Sequence, residues 1–215
     1  MKNKEQVNEV LKILDDVYGP TKCYLNHQNP WQLLIATILS AQCTDDRVNI
    51  VTKDLFEKYT SIKDFAEASL SELENDIRST GFYHNKAKNI ILCCQKLLTD
   101  FNGEVPQDID KLTSLAGVGR KTANVIRGNI YGIPSIVVDT HVKRISNLIG
   151  FTKSQDPVKI EFELMEILPQ DHWISYNTQV IAHGRKICIA RRPQCHICPL
   201  SRLCDDYIRK SPGAV

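Results

Sequence analysis

The stretch LAGVGRKTANV, residues 115–125, contains two glycines that are followed at once by two cations. Gly117 and Gly119 predict a tight turn, and the residues after Arg120 and Lys121 predict a helix. A helix start already carries about half a positive charge, so cations placed there are locally unfavourable. The stretch therefore predicts an anionic ligand that lies outside the chain.

A short helix is predicted before this turn, over residues 110–115, and a longer helix after it, over 119–131. The whole, at about residues 110–131, is a helix-hairpin-helix pattern. Backbone N–H groups at a helix start bind phosphate, and a phosphate would also neutralise Arg120. The same five-residue pattern, LxGxG, also occurs in ordinary helix connections, which remain the alternative.

The rest of the chain is also predicted to be helical. Apolar residues recur at helical spacing, and Asn29-Pro30, Asp45 or Asp46, Asp139 and Asp156-Pro157 are typical helix starts. Ser71 and Glu74 predict a capping box before a short helix. Further helices are predicted over residues 7–17, 31–42, 45–59, 86–101, 139–149, 157–168 and 174–186. Only 136–138 resembles a strand, so the expected fold class is all-α.

Composition and charge narrow the function classes. The 215 residues are 42% hydrophobic and 24% charged, as in an ordinary globular protein. No apolar run approaches the roughly 20 residues that span a membrane, and the N-terminus lacks the apolar segment of a secretory signal. We therefore expect a cytoplasmic protein with no membrane partner.

The two halves of the chain differ in charge. Residues 1–110 hold 12 Lys and Arg against 17 Asp and Glu, whereas residues 111–215 hold 15 against 8. An excess of positive charge in the second half is typical of a site for a polyanion. A chance distribution of solvated charges is the alternative.

Four cysteines lie close together near the end of the sequence, with the spacing C-x6-C-x2-C-x5-C. Four thiolates at this spacing suit one [4Fe–4S] cluster. Zinc is the first alternative, although zinc ribbons usually show two short pairs and only one is present. Disulfides are the second, although nothing indicates an oxidising compartment. The candidate ligands are Cys188, Cys195, Cys198 and Cys204.

The sequence resembles the endonuclease III family over nearly its whole length. Besides the stretch at 115–125 and the cysteine spacing, the resemblance rests on LSAQCTD (39–45), GFYHNKAKNI (81–90), NGEVP (102–106), VDTHVKR (138–144) and HGRKICIARRPQC (183–195). It implies two helical domains that flank a DNA cleft. Residues 21–132 would form a helical barrel, and 1–20 with 133–215 a discontinuous iron–sulfur cluster domain.

The resemblance also implies an activity. Family members are DNA glycosylases with AP lyase activity in base excision repair, and this chain would remove oxidised or ring-damaged pyrimidines. The partner would be double-stranded DNA with damaged bases or abasic sites, and the protein a bacterial-type, nucleoid-associated monomer. Two alternatives stay open. One is an adenine or mismatch glycosylase of the same fold, which commonly lacks a lysine at position 121. The other is a non-catalytic iron–sulfur module that binds DNA.

By the same resemblance, Lys121 is the nucleophile and Asp139 its partner. The lysine amine would attack the sugar C1′, and a Schiff base would then drive β-elimination of the strand. Asp139 would help to activate the amine and to stabilise the cationic sugar. Taken from the residues alone, Lys121 could be a solvated surface charge and Asp139 a helix N-cap.

Further residues are expected to contact DNA. By resemblance, Gln42 fills the gap left by an extruded base, and Phe82 stands where the family commonly has a leucine wedge. Ala116 stands where the hairpin commonly has proline. Asp45 and His141 are expected to line the cleft. The loop between the first two clustered cysteines is expected to present a basic tip to phosphates, formed by Arg191 and Arg192.

Overall fold

The computed structural model describes residues 2–20 and 22–211. All regular structure within these ranges is helical, which confirms the all-α prediction. The α-helices are α1 (Lys4–Tyr18), α2 (Pro30–Leu39), α3 (Asp45–Lys58), α4 (Ile62–Ala66), α5 (Leu70–Asp76), α6 (Tyr83–Phe101), α7 (Ile109–Thr113), α8 (Arg120–Tyr131), α9 (Thr140–Ile149), α10 (Pro157–Ile167), α11 (Trp173–Lys186) and α12 (Asp205–Lys210). Short 3-10 helices cover Arg78–Thr80, Gln170–His172, Cys195–Ile197 and Ser201–Leu203. No helix of the described ranges is long and apolar enough to cross a membrane.

The chain forms two compact units. The described residues of 1–22 and 134–215 make up one unit, and residues 23–133 make up the other. The chain therefore leaves the first unit after α1 and returns to it before α9. The predicted identities of the units, a cluster domain and a helical barrel, remain predictions.

The unit of residues 23–133 is built around α2. This helix begins where the Asn29 side chain accepts a hydrogen bond from the Gln32 N–H and where Pro30 supplies a helical φ. Almost every residue of α2 is buried, so neighbouring helices cover all of its faces. The longest helix, α6, contributes one apolar stripe to this core, formed by Ala87, Ile90, Cys93, Cys94 and Leu97.

The other unit has its own core, which α1 shares with α9, α10 and α11. Asn3 and Gln6 form a capping box at the start of α1. At the centre of this core, the buried Tyr176 hydroxyl lies 2.8 Å from the Ser146 hydroxyl, so the one polar atom of the ring has a partner.

The structure corrects several local predictions. Helix α2 ends at Leu39 rather than at Gln42, whose φ of 54° is left-handed. Helix α3 begins at Asp45, one of the two starts predicted, and the Thr44 hydroxyl caps it by accepting a hydrogen bond from the Arg47 N–H. The capping box predicted for Ser71 is wrong, because this residue lies inside α5. Residues 136–138 are extended without forming a strand. Helices α4 and α12 were not predicted from the sequence.

Candidate functional site

The two-glycine turn joins α7 to α8. Gly117 is exposed and adopts a left-handed φ of 76°, while the extended Gly119 is the N-cap of α8. A Cβ atom added to Gly117 would lie 2.9 Å from the Cβ of Asn89 on α6, closer than real Cβ atoms approach. Only glycine therefore lets this turn both close and pack against α6.

The two predicted catalytic residues lie in different units. Lys121 is exposed in the first turn of α8, directly after the half-exposed Arg120. Asp139 is the N-cap of α9, and its Oδ1 accepts a hydrogen bond of 2.8 Å from the Val142 N–H. The cap interpretation of Asp139 is therefore correct. The catalytic roles of Lys121 and Asp139, and their cooperation, stay predictions.

Two exposed side chains stand on strained backbone beside the glycine turn. Gln42 and Phe82 have φ values of 54° and 49°, and Asn102 is the one other non-glycine residue with positive φ in the described ranges. The left-handed conformation costs a non-glycine residue about 1–2 kcal/mol. Phe82 is 63% exposed, so burial of its ring does not offset this cost. Such strain at an exposed site is typical of a functional position.

Gln42, Phe82 and Gly117 line one pocket within the unit of residues 23–133. The sequence reading did not identify the polar residues that join them in its wall, Asn85, Lys86 and Asn89. A signal for Lys86 was present: it precedes Ala87 and Ile90 on the apolar stripe of α6, where a charged residue is unexpected.

The four clustered cysteines line a second cavity, in the unit that contains α9 and α11. Apolar side chains complete its wall, among them Ile145 and Leu148 of α9. All eight cysteines of the chain are free thiols, so disulfides are not formed. No group of three or more His, Cys, Asp or Glu in the described ranges is placed to hold a metal ion, whereas the four thiols surround a shared space. This donor set and this space fit an iron–sulfur cluster.

Polar groups reach the sulfur atoms from the helices around this cavity. The Arg144 guanidinium donates to the Cys188 Sγ over 3.4 Å and to its carbonyl over 2.7 Å. The Nε2 of His183 lies 3.6 Å from the Cys198 Sγ. The other ring nitrogen of His183, Nδ1, lies 2.8 Å from the Tyr18 hydroxyl. Burial and the nearby Arg144 lower the pKa of His183 to about 4, so the ring is neutral near pH 7. Such partners orient ligands and stabilise thiolates.

Burial raises the pKa of the Cys198 thiol to about 11, and it raises that of Cys204 as well. Iron binds the thiolate form, so cluster binding at these residues must displace protons. Binding the cluster is therefore coupled to the protonation of its own ligands.

The loop between Cys188 and Cys195 forms a closed turn. The Gln194 N–H donates to the Ile187 carbonyl over 3.0 Å, and the Arg192 N–H donates to the Ile189 carbonyl over 3.2 Å. Arg191 and Arg192 are both exposed at its tip. This placement suits phosphate contact, which stays a prediction for both arginines.

Asp45 and His141, the last two residues predicted to contact DNA, are less exposed than the arginines of the loop. Asp45 is half-buried in the first turn of α3. The half-buried ring of His141 packs against α11, where a Cβ atom on Gly184 would lie 2.3 Å from its Nδ1. The imidazole therefore serves packing within its own unit, and DNA contact by Asp45 or His141 stays a prediction.

Two known family models match the chain. Residues 35–170 match the HhH-GPD superfamily base excision DNA repair protein, and residues 188–204 match the iron–sulfur binding domain of endonuclease III. The second match begins and ends at the first and last of the four clustered cysteines. The prediction of an iron–sulfur cofactor is thereby confirmed.

Similar proteins are known over nearly the full length. Endonuclease III of Synechocystis sp. is 48% identical over 94% of this chain and 92% of its own length. A solved non-covalent endonuclease III–DNA complex has a TM-score of 0.93 and 47% identity, covering 97% of this chain and 98% of that one. A trapped endonuclease III–DNA covalent intermediate, an estranged-adenine complex, has the same TM-score and identity and covers 97% and 99%. By sequence and by structure, the chain belongs to the endonuclease III family.

Proposed function

We propose that the protein is a DNA glycosylase with AP lyase activity in base excision repair, which removes oxidised or ring-damaged pyrimidines. One observation carries this proposal: Gln42 and Phe82, both exposed on strained backbone, share a pocket with the glycine turn. A pair of this kind is suited to occupy a duplex from which a nucleotide has turned out. The similar proteins solved with DNA, one of them as a covalent intermediate, support the same interpretation.

The chemistry follows from an exposed amine next to a phosphate-binding turn. The neutral amine of Lys121 forms a bond to C1′ of the sugar, and the bond between C1′ and the damaged base breaks. The base leaves with the bonding electrons and takes up a proton. The lone pair of the attached nitrogen then breaks the bond from C1′ to the ring oxygen O4′, which takes up a proton, and a protonated imine results. This imine acidifies C2′, whose proton is lost as the bond from C3′ to the oxygen of the 3′ phosphate breaks, and the phosphate leaves with the bonding electrons. Water then hydrolyses the imine and frees the lysine.

Asp139 assists this sequence with its carboxylate. Its Oδ1 is engaged by the Val142 N–H, so Oδ2 is the atom that we expect to face the reaction. A carboxylate there can accept the proton of the amine and stabilise positive charge on the sugar as the base departs. Its position as a helix N-cap fixes the direction of the carboxyl group.

The iron–sulfur group is of the [4Fe–4S] type, held by Cys188, Cys195, Cys198 and Cys204. It supplies a covalent anchor for a segment with little regular structure and takes no part in bond making or breaking. The anchored loop then offers Arg191 and Arg192 to DNA phosphates as a rigid pair. The protein acts as a cytoplasmic, nucleoid-associated monomer on double-stranded DNA with damaged bases or abasic sites.

An assay on three duplexes tests the proposed function. One duplex carries thymine glycol, one carries adenine opposite oxidised guanine, and one carries a G·T mismatch. We expect base release and a strand nick on the first alone, because an amine nucleophile couples both steps. Base release without a nick on either of the other two would indicate an adenine or mismatch glycosylase. Binding without release of any base would indicate a non-catalytic module.

The pair Gln42 and Phe82 should act on base extrusion rather than on the bond chemistry. Gln42→Ala and Phe82→Ala should each slow the processing of a paired lesion by about tenfold, because the stacking lost on extrusion is worth a few kcal/mol. The same lesion in a single strand has less stacking to break and should be processed at nearly the original rate. Single-turnover rates on the two substrates measure the difference.

Leu92→Ala is a suitable control for these variants, because it also truncates an exposed apolar side chain, on α6, but outside the pocket. We expect it to leave both rates unchanged. Equal losses on paired and single-stranded substrate in the two pocket variants would show that Gln42 and Phe82 serve the fold or the chemistry instead.

A further inference from the structure

Lys86 is a buried lysine on the apolar face of α6. Only 4% of the residue is exposed, and its neighbours Ala87 and Ile90 are fully buried. A buried ammonium group is costly unless its protons are hydrogen-bonded, and burial accordingly lowers the pKa of this lysine. A methionine or leucine would fill the same space without this cost. The ammonium group of Lys86 therefore indicates a role beyond the filling of space in the core.

The Nζ atom of Lys86 donates two hydrogen bonds, each of 2.8 Å, to the carbonyls of Leu39 and Thr80. Leu39 is the last residue of α2, and Thr80 is the last residue of the 3-10 helix Arg78–Thr80. Helix ends leave carbonyls without an intrahelical partner, and a cation is favoured there. One ammonium group thus satisfies the ends of two separate elements.

Each of the two helix ends lies shortly before one of the strained residues in the pocket. Gln42 follows Leu39 by three residues, and Phe82 follows Thr80 by two. A left-handed conformation of such residues persists only where the surrounding structure holds it. The two Lys86 hydrogen bonds connect the carbonyls of Leu39 and Thr80, and so connect the two segments that lead to Gln42 and Phe82. Lys86 also lines the pocket together with both side chains.

We propose that Lys86 is a positioning residue that fixes the spacing of the two loops carrying Gln42 and Phe82, so that both side chains enter the duplex together. This inference rests on the proposed function. Lys86 touches no reacting atom in this scheme, and its effect passes through Gln42 and Phe82 alone. Charge-assisted hydrogen bonds to buried carbonyls are strong enough to hold both loops against relaxation of the strained residues.

The variant Lys86→Met keeps the length of the side chain and removes both hydrogen bonds. We expect single-turnover processing of thymine glycol in a duplex to slow at least about tenfold, the equivalent of one lost hydrogen bond to a charged group. Processing of the same lesion in a single strand, and its trapping by borohydride, should be unchanged. A 2-aminopurine base next to the lesion should report slower unstacking by its fluorescence.

A second comparison tests whether Lys86 acts through Gln42 and Phe82. In a protein that already carries Gln42→Ala and Phe82→Ala, adding Lys86→Met should cause no further loss on the duplex, because the side chains it positions are gone. Lys88→Met, on the exposed face of the same helix, is the matched control and should leave all rates unchanged. If Lys86→Met does not fold, Lys86→Gln retains a donor and should show a smaller loss with the same substrate dependence.

Equal losses on paired and single-stranded substrate, a full additional loss in the triple variant, or no loss at all would overturn the proposal. Failure of the proposed function is a separate outcome. It would be seen as absence of a borohydride-trapped adduct with the unmodified protein, before any variant is compared.

Discussion

Lys121→Gln is expected to abolish base release, strand nicking and borohydride trapping together, each by at least about 1,000-fold, because one amine serves all three steps. Borohydride reduces an imine between this amine and the sugar, and so leaves the unmodified protein covalently attached to DNA. Lys121 is exposed, and an exposed cation contributes little to stability, so the variant should remain folded. Gel separation of the covalent adduct and measurement of released base quantify the loss.

Two further variants make the Lys121 result specific. Lys111→Gln removes an exposed lysine from α7, on the other side of the same turn, and should still trap fully. Asp139→Asn keeps an N-cap acceptor for the Val142 N–H, so it removes the charge with little change in the cap. Its adduct should form about 100-fold more slowly but still form. Full trapping in Lys121→Gln would mean that another amine is the nucleophile.

The all-helical fold could be predicted from the sequence because its main signals are local. Asn29-Pro30 and Asp156-Pro157 start α2 and α10 where expected, since cap chemistry depends on residues three positions apart. Short elements were harder to predict. Helix α4 has only five residues, and its capping box uses Asp64 instead of the usual Glu or Gln, so neither its length nor its cap was distinctive.

The wall of the pocket could not be predicted in the same way. The left-handed conformation of Gln42 and Phe82 is set by tertiary structure, since neither residue type favours it locally. One hydrogen bond of Lys86 reaches the carbonyl of Leu39, which is 47 residues away in the sequence. No sequence pattern predicts a contact between two residues so far apart. The cysteine cluster was predictable for the opposite reason: all four thiols lie within one short segment, so their spacing already limits their geometry.

That segment has little regular structure, and Leu200 is its one buried residue between Cys188 and Cys204. Between Cys188 and Cys204 the regular structure consists of two 3-10 helices of three residues each. Its contribution to the core is the fully buried Leu200 together with the partly buried Cys188, Cys198, Leu203 and Cys204, which pack against the core residues. Helix α12 follows at once, and its first residue contacts Gly150, where an added Cβ atom would lie 1.9 Å from the Asp205 Oδ2. A cluster bound by four of its residues would tie this segment together, and α12 follows it directly, so we expect the order of residues 188–211 to depend on the cluster, with the Lys2–Asp205 ion pair as a further contact of α12.

Cys198→Ala is therefore expected to lose the cluster and, with it, the order of this whole segment. Iron analysis of anaerobically purified protein should fall from about four atoms per chain to nearly none, with loss of the broad visible absorption. Hydrogen exchange should accelerate across residues 188–211 while residues 23–133 keep their protection, because the latter form a core of their own. Cys23→Ala, a half-buried cysteine of the other unit, should retain all of its iron. One zinc and no iron in the unmodified protein, or full iron in Cys198→Ala, would exclude this cysteine set as the cluster site.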